Sequence, residues 1–336
     1  MMNPRESGEY IASKASHVKI LDENIETVAN QILLSISTGE FEKMTSFADD
    51  VHPTGADEAA ADWFFIMNTI NFSFWTDYDS SKPFKIVFKG KAHTGAMAGA
   101  ACLNRALDRG IPITSAKFMA TIDEKSMHEI FTDDDGTVIP MLYERMEAIQ
   151  ESGRVLLEKF DGTFYTCLKK ANRNSQALLN LIIENLKSFQ DFGEYKGQKV
   201  SFLKRAQILI ADIYRNMGRT NPLANFEDIE SLTIFADYRV PQAMAFLNLL
   251  SYSAELKQLL HSKKLLDAGS EYEIEIRGCA IEACERISVV ANKNLSENAP
   301  RITAMDIDTY FWVYRRAHAE EIEEKVPYHR VRCIYY

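Results

Sequence analysis

Phe235-Ala-Asp-Tyr-Arg-Val-Pro-Gln242 gathers an acid, a phenol, a guanidinium and an amide directly ahead of an apolar run. Proline's ring disfavours the α region for the residue before it, so Val240 is expected to be extended. Pro241 suits the first turn of a helix, where its missing N–H would be unpaired anyway. The stretch therefore reads as a connection carrying Asp237, Tyr238 and Arg239 into a helix from Pro241 to Leu250. A helix N-terminus offers free N–H groups and the positive end of the dipole to an anion. Beside Phe235 and Tyr238, low polarity can shift the pKa of Asp237. Such a site suits chemistry on an anionic, ring-bearing ligand.

Working outward from this stretch, helical signals dominate. Asn3-Pro4-Arg5-Glu6 reads as a capped start, with Asn3 as N-cap, Pro4 first in the helix and Glu6 reaching back. Ile25, Val28, Ala29, Ile32 and Leu33 have helical spacing, and Ala56 to Ile70 predicts another helix. Phe84 to Gly90 alternates as a strand of a small hairpin or sheet edge. Thr94 to Arg109 returns to helix, stopped by Gly110. Further helices are expected at 140–159, 175–189, 200–217, 241–262, 272–290 and 304–321, and Asp133-Asp-Asp-Gly136 reads as a solvated turn. No internal repeat or long linker interrupts the pattern. The expectation is one domain over 1–336, compact and mainly α with a minor β element.

The chain has 336 residues, 46% apolar and 26% charged, with a net charge of −10. That suits a soluble globular protein with an ample core. Polynucleotide binding leans on many Lys/Arg–phosphate contacts, so no stable nucleic-acid complex is expected. A nucleotide-sized ligand in a small basic pocket fits the balance. Five scattered cysteines, Cys102, Cys167, Cys279, Cys284 and Cys333, suggest no disulfide framework and a reducing compartment. The N-terminal residues lack the apolar stretch of a secretory signal, and no run reaches membrane-spanning length. A cytoplasmic protein without membrane association is expected. Nucleotide-loop, zinc and nucleophile-elbow motifs are missing. No metal or other cofactor is expected.

Several segments mix aromatic and polar groups. Asn71-Phe-Ser-Phe-Trp75 offers rings for stacking and Asn71 for hydrogen bonds to a base; the plainer alternative is core packing with Asn71 closing a helix. Lys204 can meet a phosphate as a point charge, or Lys204 and Arg205 are ordinary surface cations. Arg277, ahead of Gly278, reads as a structural tie to a carboxylate. Asp308 and Trp312 are four apart and share a helix face. A carboxylate on an apolar face needs donors, supplied either by a guanine-like edge or by an arginine of the fold. His52 reads as a packed loop histidine or a ligand contact. The basic, aromatic ending Pro327 to Tyr336 is expected to dock on the core.

Taken together, Asn71-Phe-Ser-Phe-Trp75, Ser201-Phe-Leu-Lys-Arg-Ala-Gln-Ile-Leu, Phe235 to Gln242, Glu275-Ile-Arg-Gly-Cys279 and the Arg-Cys-Ile-Tyr-Tyr336 ending resemble the queuosine salvage protein family. The likeness extends from Pro4-Arg-Glu-Ser to the last residue. It implies a helical fold similar to DNA glycosylases. It also implies hydrolysis of queuosine 5′-monophosphate to queuine and ribose 5-phosphate in the cytosol. The resemblance puts the catalytic acid at Asp237, base contacts at His52, Phe235 and Asp308, and sugar-phosphate contacts at Lys204 and Arg239. Asn71, Trp75, Tyr238 and Trp312 complete the expected substrate contacts. Where the family leads one to expect an acid after Trp312, this chain has Val313, so no role is transferred there.

Two other classes compete: a non-catalytic queuosine-nucleotide or tRNA-binding protein, and a DNA-repair glycosylase. A pure binder gains little from a desolvated carboxylate beside a phosphate, and the negative net charge opposes repair of polymer DNA.

Overall fold

A computed structural model describes residues 1–41, 50–76, 82–295 and 299–336. The chain is mainly helical, with three two-stranded antiparallel sheets among the described residues. It divides into two compact units. The first comprises Met1–Ser46, Asp191–Lys204 and Leu232–Cys333, and the second Phe47–Gln190, Arg205–Ser231 and Ile334–Tyr336.

The first unit is built on the 23-residue helix Glu271–Lys293, which starts on the Ser270 side chain and buries Ile274, Ile276, Cys279, Ile281, Cys284 and Ile287. The helix Pro4–Lys14 crosses it closely, with the expected Asn3/Glu6 capping box in place. The crossing depends on two glycines. A Cβ on Gly278 would stand 2.5 Å from Ile11 Cδ1, and one on Gly8 would stand 2.7 Å from Ile281 Cγ2. Ile11 is fully buried there, worth about 1.5–3 kcal/mol of transfer energy. Glu275, also fully buried, accepts the N–H groups of Ser16, His17 and Val18 and the Tyr195 hydroxyl. Val18–Ile20 then pairs antiparallel with Leu250–Tyr252, with Lys19 opposite Ser251. The hairpin Phe192–Tyr195/Gln198–Ser201 and the helices Ile25–Ser37, Val240–Phe246, Ala254–His261, Ala304–Ala317 and Ala319–Lys325 complete the unit.

The second unit centres on the helix Glu58–Thr69, capped by Asp57 and buried from Trp63 to Thr69. The strand expected at Phe84–Gly90 is Lys85–Phe88; it turns through Lys89 and Gly90 at positive φ and pairs with Lys91–Thr94, so the helix expected from Thr94 starts at Ala96. The helix Leu142–Lys159 packs on Ala116–Thr121, where a Cβ on Gly153 would lie 2.3 Å from the Ala120 nitrogen. Arg145 and Arg205 are 0% and 1% exposed. Arg205, weighed from sequence as a surface cation, instead donates to the carbonyls of Asn68, Thr69 and Ser188.

The structure corrects several expected boundaries. Val240 is helical rather than extended, its N–H held by Asp237. The helix ends at Phe246 instead of running through Leu250, because Asn248 turns left-handed and residues 250–252 join Val18–Ile20. The expected 241–262 helix is thus two helices with a strand between them. The 200–217 helix starts at Lys204, since Val200 and Ser201 close the hairpin and Leu203 has φ +53°. His318 interrupts the 304–321 helix, and the 175–189 segment leaves the α conformation after Asn185. The turn expected to be solvated has Asp133 buried, accepting from Asp135 N and Thr137 N.

Candidate active site

Phe235 to Gln242 is a turn held from both sides. The buried Phe235 donates its N–H to Asp308 Oδ1 at 2.9 Å. Asp308, 7% exposed, thereby finds a donor within the protein, from a helix position one turn before Trp312. The half-buried Asp237 spends one oxygen on its own turn: Oδ1 accepts Arg239 N at 2.7 Å and Val240 N at 2.9 Å. This fixes the carboxylate's orientation and starts the short helix. It also takes N–H groups that the sequence had offered to an anion. Oδ2 accepts no hydrogen bond among the described residues. The carboxylate is therefore oriented yet still able to accept a proton or face a developing cation.

Beyond Asp237 the turn is cationic and aromatic. Burial pushes the Tyr238 phenol up to about 12, and its ring lies 5.3 Å from that of Tyr328. The Arg239 guanidinium stacks 4.0 Å over Tyr328 and donates to Gln242 Oε1 and Glu323 Oε2, both at 3.0 Å. Arg315 reaches the same Glu323 oxygen at 3.1 Å. Burial alone would raise the Glu323 carboxyl, but Arg239, Gln242 and Arg315 hold it below its ordinary range. Two guanidiniums thus share one carboxylate beside the turn. The half-buried Trp312 ring carries the Arg316 guanidinium 4.8 Å from its centre.

Lys204 is 6% exposed and opens its helix with its N–H on Asp191 Oδ2 at 3.1 Å. Asp191, which sequence reasoning missed, is itself the bidentate partner of Arg277, at 3.0 and 2.6 Å. Arg277 also donates Nε to the carbonyl of Ala236 at 2.8 Å. The carboxylate tie expected of Arg277 is thus to Asp191, and the same guanidinium also reaches the residue before Asp237. The signal for a hidden acid was available, since an arginine among Ile274, Ile276, Cys279 and Ala280 needs a carboxylate.

The other three sequence candidates belong to the second unit. His52 lies edge-on to Trp63 and Phe64, with ring centres 5.7 and 5.6 Å away. Asn71, buried, donates to Asn68 Oδ1 at 3.1 Å, and Asn68 in turn donates to Asp212. Trp75 is 6% exposed. The backbone between Asn71 and Trp75 rests on Arg145, which donates to Phe72 O at 2.5 Å and stacks over the rings of Phe72 and Phe74. Ser73 N donates to the Tyr336 carbonyl at 2.8 Å, so the last residue is docked, as the sequence implied. Among the described residues no group of three His, Cys, Asp or Glu side chains is placed to hold a metal ion. No helix there is long and apolar enough to cross a membrane.

A family model described as queuosine salvage protein matches residues 51–336. A mouse (Mus musculus) protein named queuosine 5'-phosphate N-glycosylase/hydrolase is 40% identical over 340 residues, covering 100% of this chain and 99% of its own length. A Bos taurus protein of the same name is 38% identical, with 100% and 99% covered. One from Schizosaccharomyces pombe is 36% identical, with 98% and 99% covered. The chain belongs to the queuosine salvage protein family.

Proposed function

We propose that this protein hydrolyses the N-ribosidic bond of queuosine 5′-monophosphate, releasing queuine and ribose 5-phosphate. Membership of the family and the names of its relatives support the reaction. The observation that carries the assignment of its centre is the Asp237 carboxylate, one oxygen locked by two backbone N–H groups and the other unengaged among the described residues.

Breaking this bond develops positive charge on the sugar and negative charge on the departing base. An ionised, oriented carboxylate stabilises the first and deprotonates the attacking water. A 7-deazaguanine lacks the ring nitrogen on which many purine leaving groups are protonated. The base must therefore leave through hydrogen bonds to its remaining edges. Asp308 is assigned to the N1–H and amino edge as a carboxylate acceptor, and Phe235, Tyr238 and Trp312 supply ring surface. Lys204 and Arg239 serve the sugar-phosphate, with Arg315 adding positive potential beside Arg239. His52, Asn71 and Trp75 carry their expected base contacts on the sequence alone. Kinship of the fold with DNA glycosylases and action in the cytosol belong to the same proposal. The mainly helical fold and five free, buried cysteines are in keeping with both.

The direct test incubates the protein with queuosine 5′-monophosphate and follows free queuine by mass spectrometry. Release by wild type is expected. Tight binding without release would favour the non-catalytic reading. The free nucleoside should show kcat/KM about tenfold or more below that of the 5′-nucleotide, since phosphate binding energy is spent toward the reacting geometry. Equal values would remove the anion contacts from the scheme.

A further inference from the structure

We infer that Arg277 and Asp191 are positioning residues for the hydrolysis, joining the Asp237 turn and the Lys204 segment into one rigid assembly. The inference rests on the assignment of Asp237 given above. Arg277 Nε holds the Ala236 carbonyl at 2.8 Å, which fixes the peptide plane leading into Asp237. Its other nitrogens hold both oxygens of Asp191, at 3.0 and 2.6 Å. Asp191 in turn brackets a strained residue. Leu203 has φ +53°, a conformation costly for a branched side chain. The N–H groups on either side of it both end on Asp191: Phe202 N on the carbonyl oxygen at 3.0 Å, and Lys204 N on Oδ2 at 3.1 Å.

The same guanidinium lies 4.1 Å over the Phe202 ring, so its face and its edge both meet the Phe202–Lys204 segment's supports. Glu273, one helical turn earlier, accepts from Nη1 at 3.3 Å and sets the guanidinium's roll. Arg277, Asp191 and Glu273 are all at most 4% exposed. His329, 2% exposed, is pushed down to about 3 by burial and then by the Arg277 charge. Only a planar fork makes these contacts at once. A lysine ammonium keeps the charge but cannot hold Ala236 and both Asp191 oxygens together.

The experiment compares Arg277→Lys and Asp191→Asn with wild type in three readouts: kcat and KM for base release from queuosine 5′-monophosphate, thermal melting, and substrate affinity in an Asp237→Asn background. A carboxylate displaced by about 1 Å costs on the order of 10²-fold in rate. Arg277→Lys should therefore lose about 10²-fold in kcat, with KM, and affinity in the Asp237→Asn background, weakened by no more than about threefold through the Lys204 segment. Asp191→Asn should lose less, in the same direction. Wild-type kcat in either folded variant overturns the inference. So does a loss of affinity that accounts for the fall in kcat/KM, and so does failure of both variants to fold, since each leaves the pair with a structural role only. Silence of the wild-type protein sinks the reaction itself, whereas an active wild type with an undiminished folded variant sinks the positioning role alone.

Discussion

Asp237 and Asp62 use the same device to different ends. Each places one carboxylate oxygen on two donors: Asp237 on the N–H groups of Arg239 and Val240, Asp62 on the Thr163 hydroxyl at 3.0 Å and Phe164 N at 2.7 Å. The donors of Asp237 lie two and three residues along the chain, so its bonds orient its own side chain and little else. Those of Asp62 lie about a hundred residues away and clamp the helix Glu58–Thr69 to the start of Tyr165–Ala171, where Phe65 stacks on Phe164 at 4.6 Å. Burial pushes the Asp62 carboxyl up to about 6, against the bonds from Phe164 and Thr163. A perturbed pKa alone would nominate Asp62 as the acid–base residue. The chain distance of the bonds argues otherwise: long-range bonds hold a fold together, and local ones aim a group.

The sharpest way to break this contrast is Asp237→Asn. The amide oxygen still accepts from Arg239 and Val240, so melting should move by less than about 2 °C. It cannot serve as base or compensate a cation, and kcat should fall by about 10²–10⁴-fold. Turnover near wild type would remove Asp237 from the centre of the mechanism. Asp62→Ala should do the reverse, with base release retained and unfolding in urea showing a loss of about 1–3 kcal/mol, because the Phe164 N–H and the Thr163 hydroxyl lose their acceptor. If Asp62→Ala stops turnover while remaining folded, the two roles have been assigned the wrong way round.

Much of this was legible in the sequence because it was local. The Asn3/Glu6 capping box, the strand at 85–88 and the long helix through Arg277 follow from cap residues, alternation and spacing. The breaks were not, because each answers to a distant partner. Nothing between Pro241 and His261 announces that residues 250–252 will pair with 18–20, a contact set by register across more than two hundred residues. Arg205 looked like a surface cation because its acceptors are backbone carbonyls at the ends of other segments, Asn68, Thr69 and Ser188. The candidate turn was readable as a chemical cluster from Asp237 to Gln242. Its supports were half readable: Arg277 stood out, but Asp191, between Gln190 and Phe192, belongs to no motif.

The smallest effect tests the contrast through pH. For Asp62 the folded carboxyl holds its proton up to about 6, from an ordinary value of 3.8. Between those limits the folded protein binds more protons than the unfolded chain. The slope of unfolding free energy against pH is therefore negative for this group, and stability falls as pH rises from about 4 to about 6. Asp62→Asn keeps a carbonyl acceptor for Thr163 and Phe164 but cannot ionise, so it should lack this decline. Urea melts of both proteins from pH 4 to 7 should show the variant gaining on wild type by on the order of 1–2 kcal/mol over that window, then running parallel above it. A matching decline in both would mean that Asp62 ionises in the folded protein as it does in the unfolded chain. The clamp would then be a bond between hydrated groups, and Asp62 would differ from Asp237 only in the length of chain it spans.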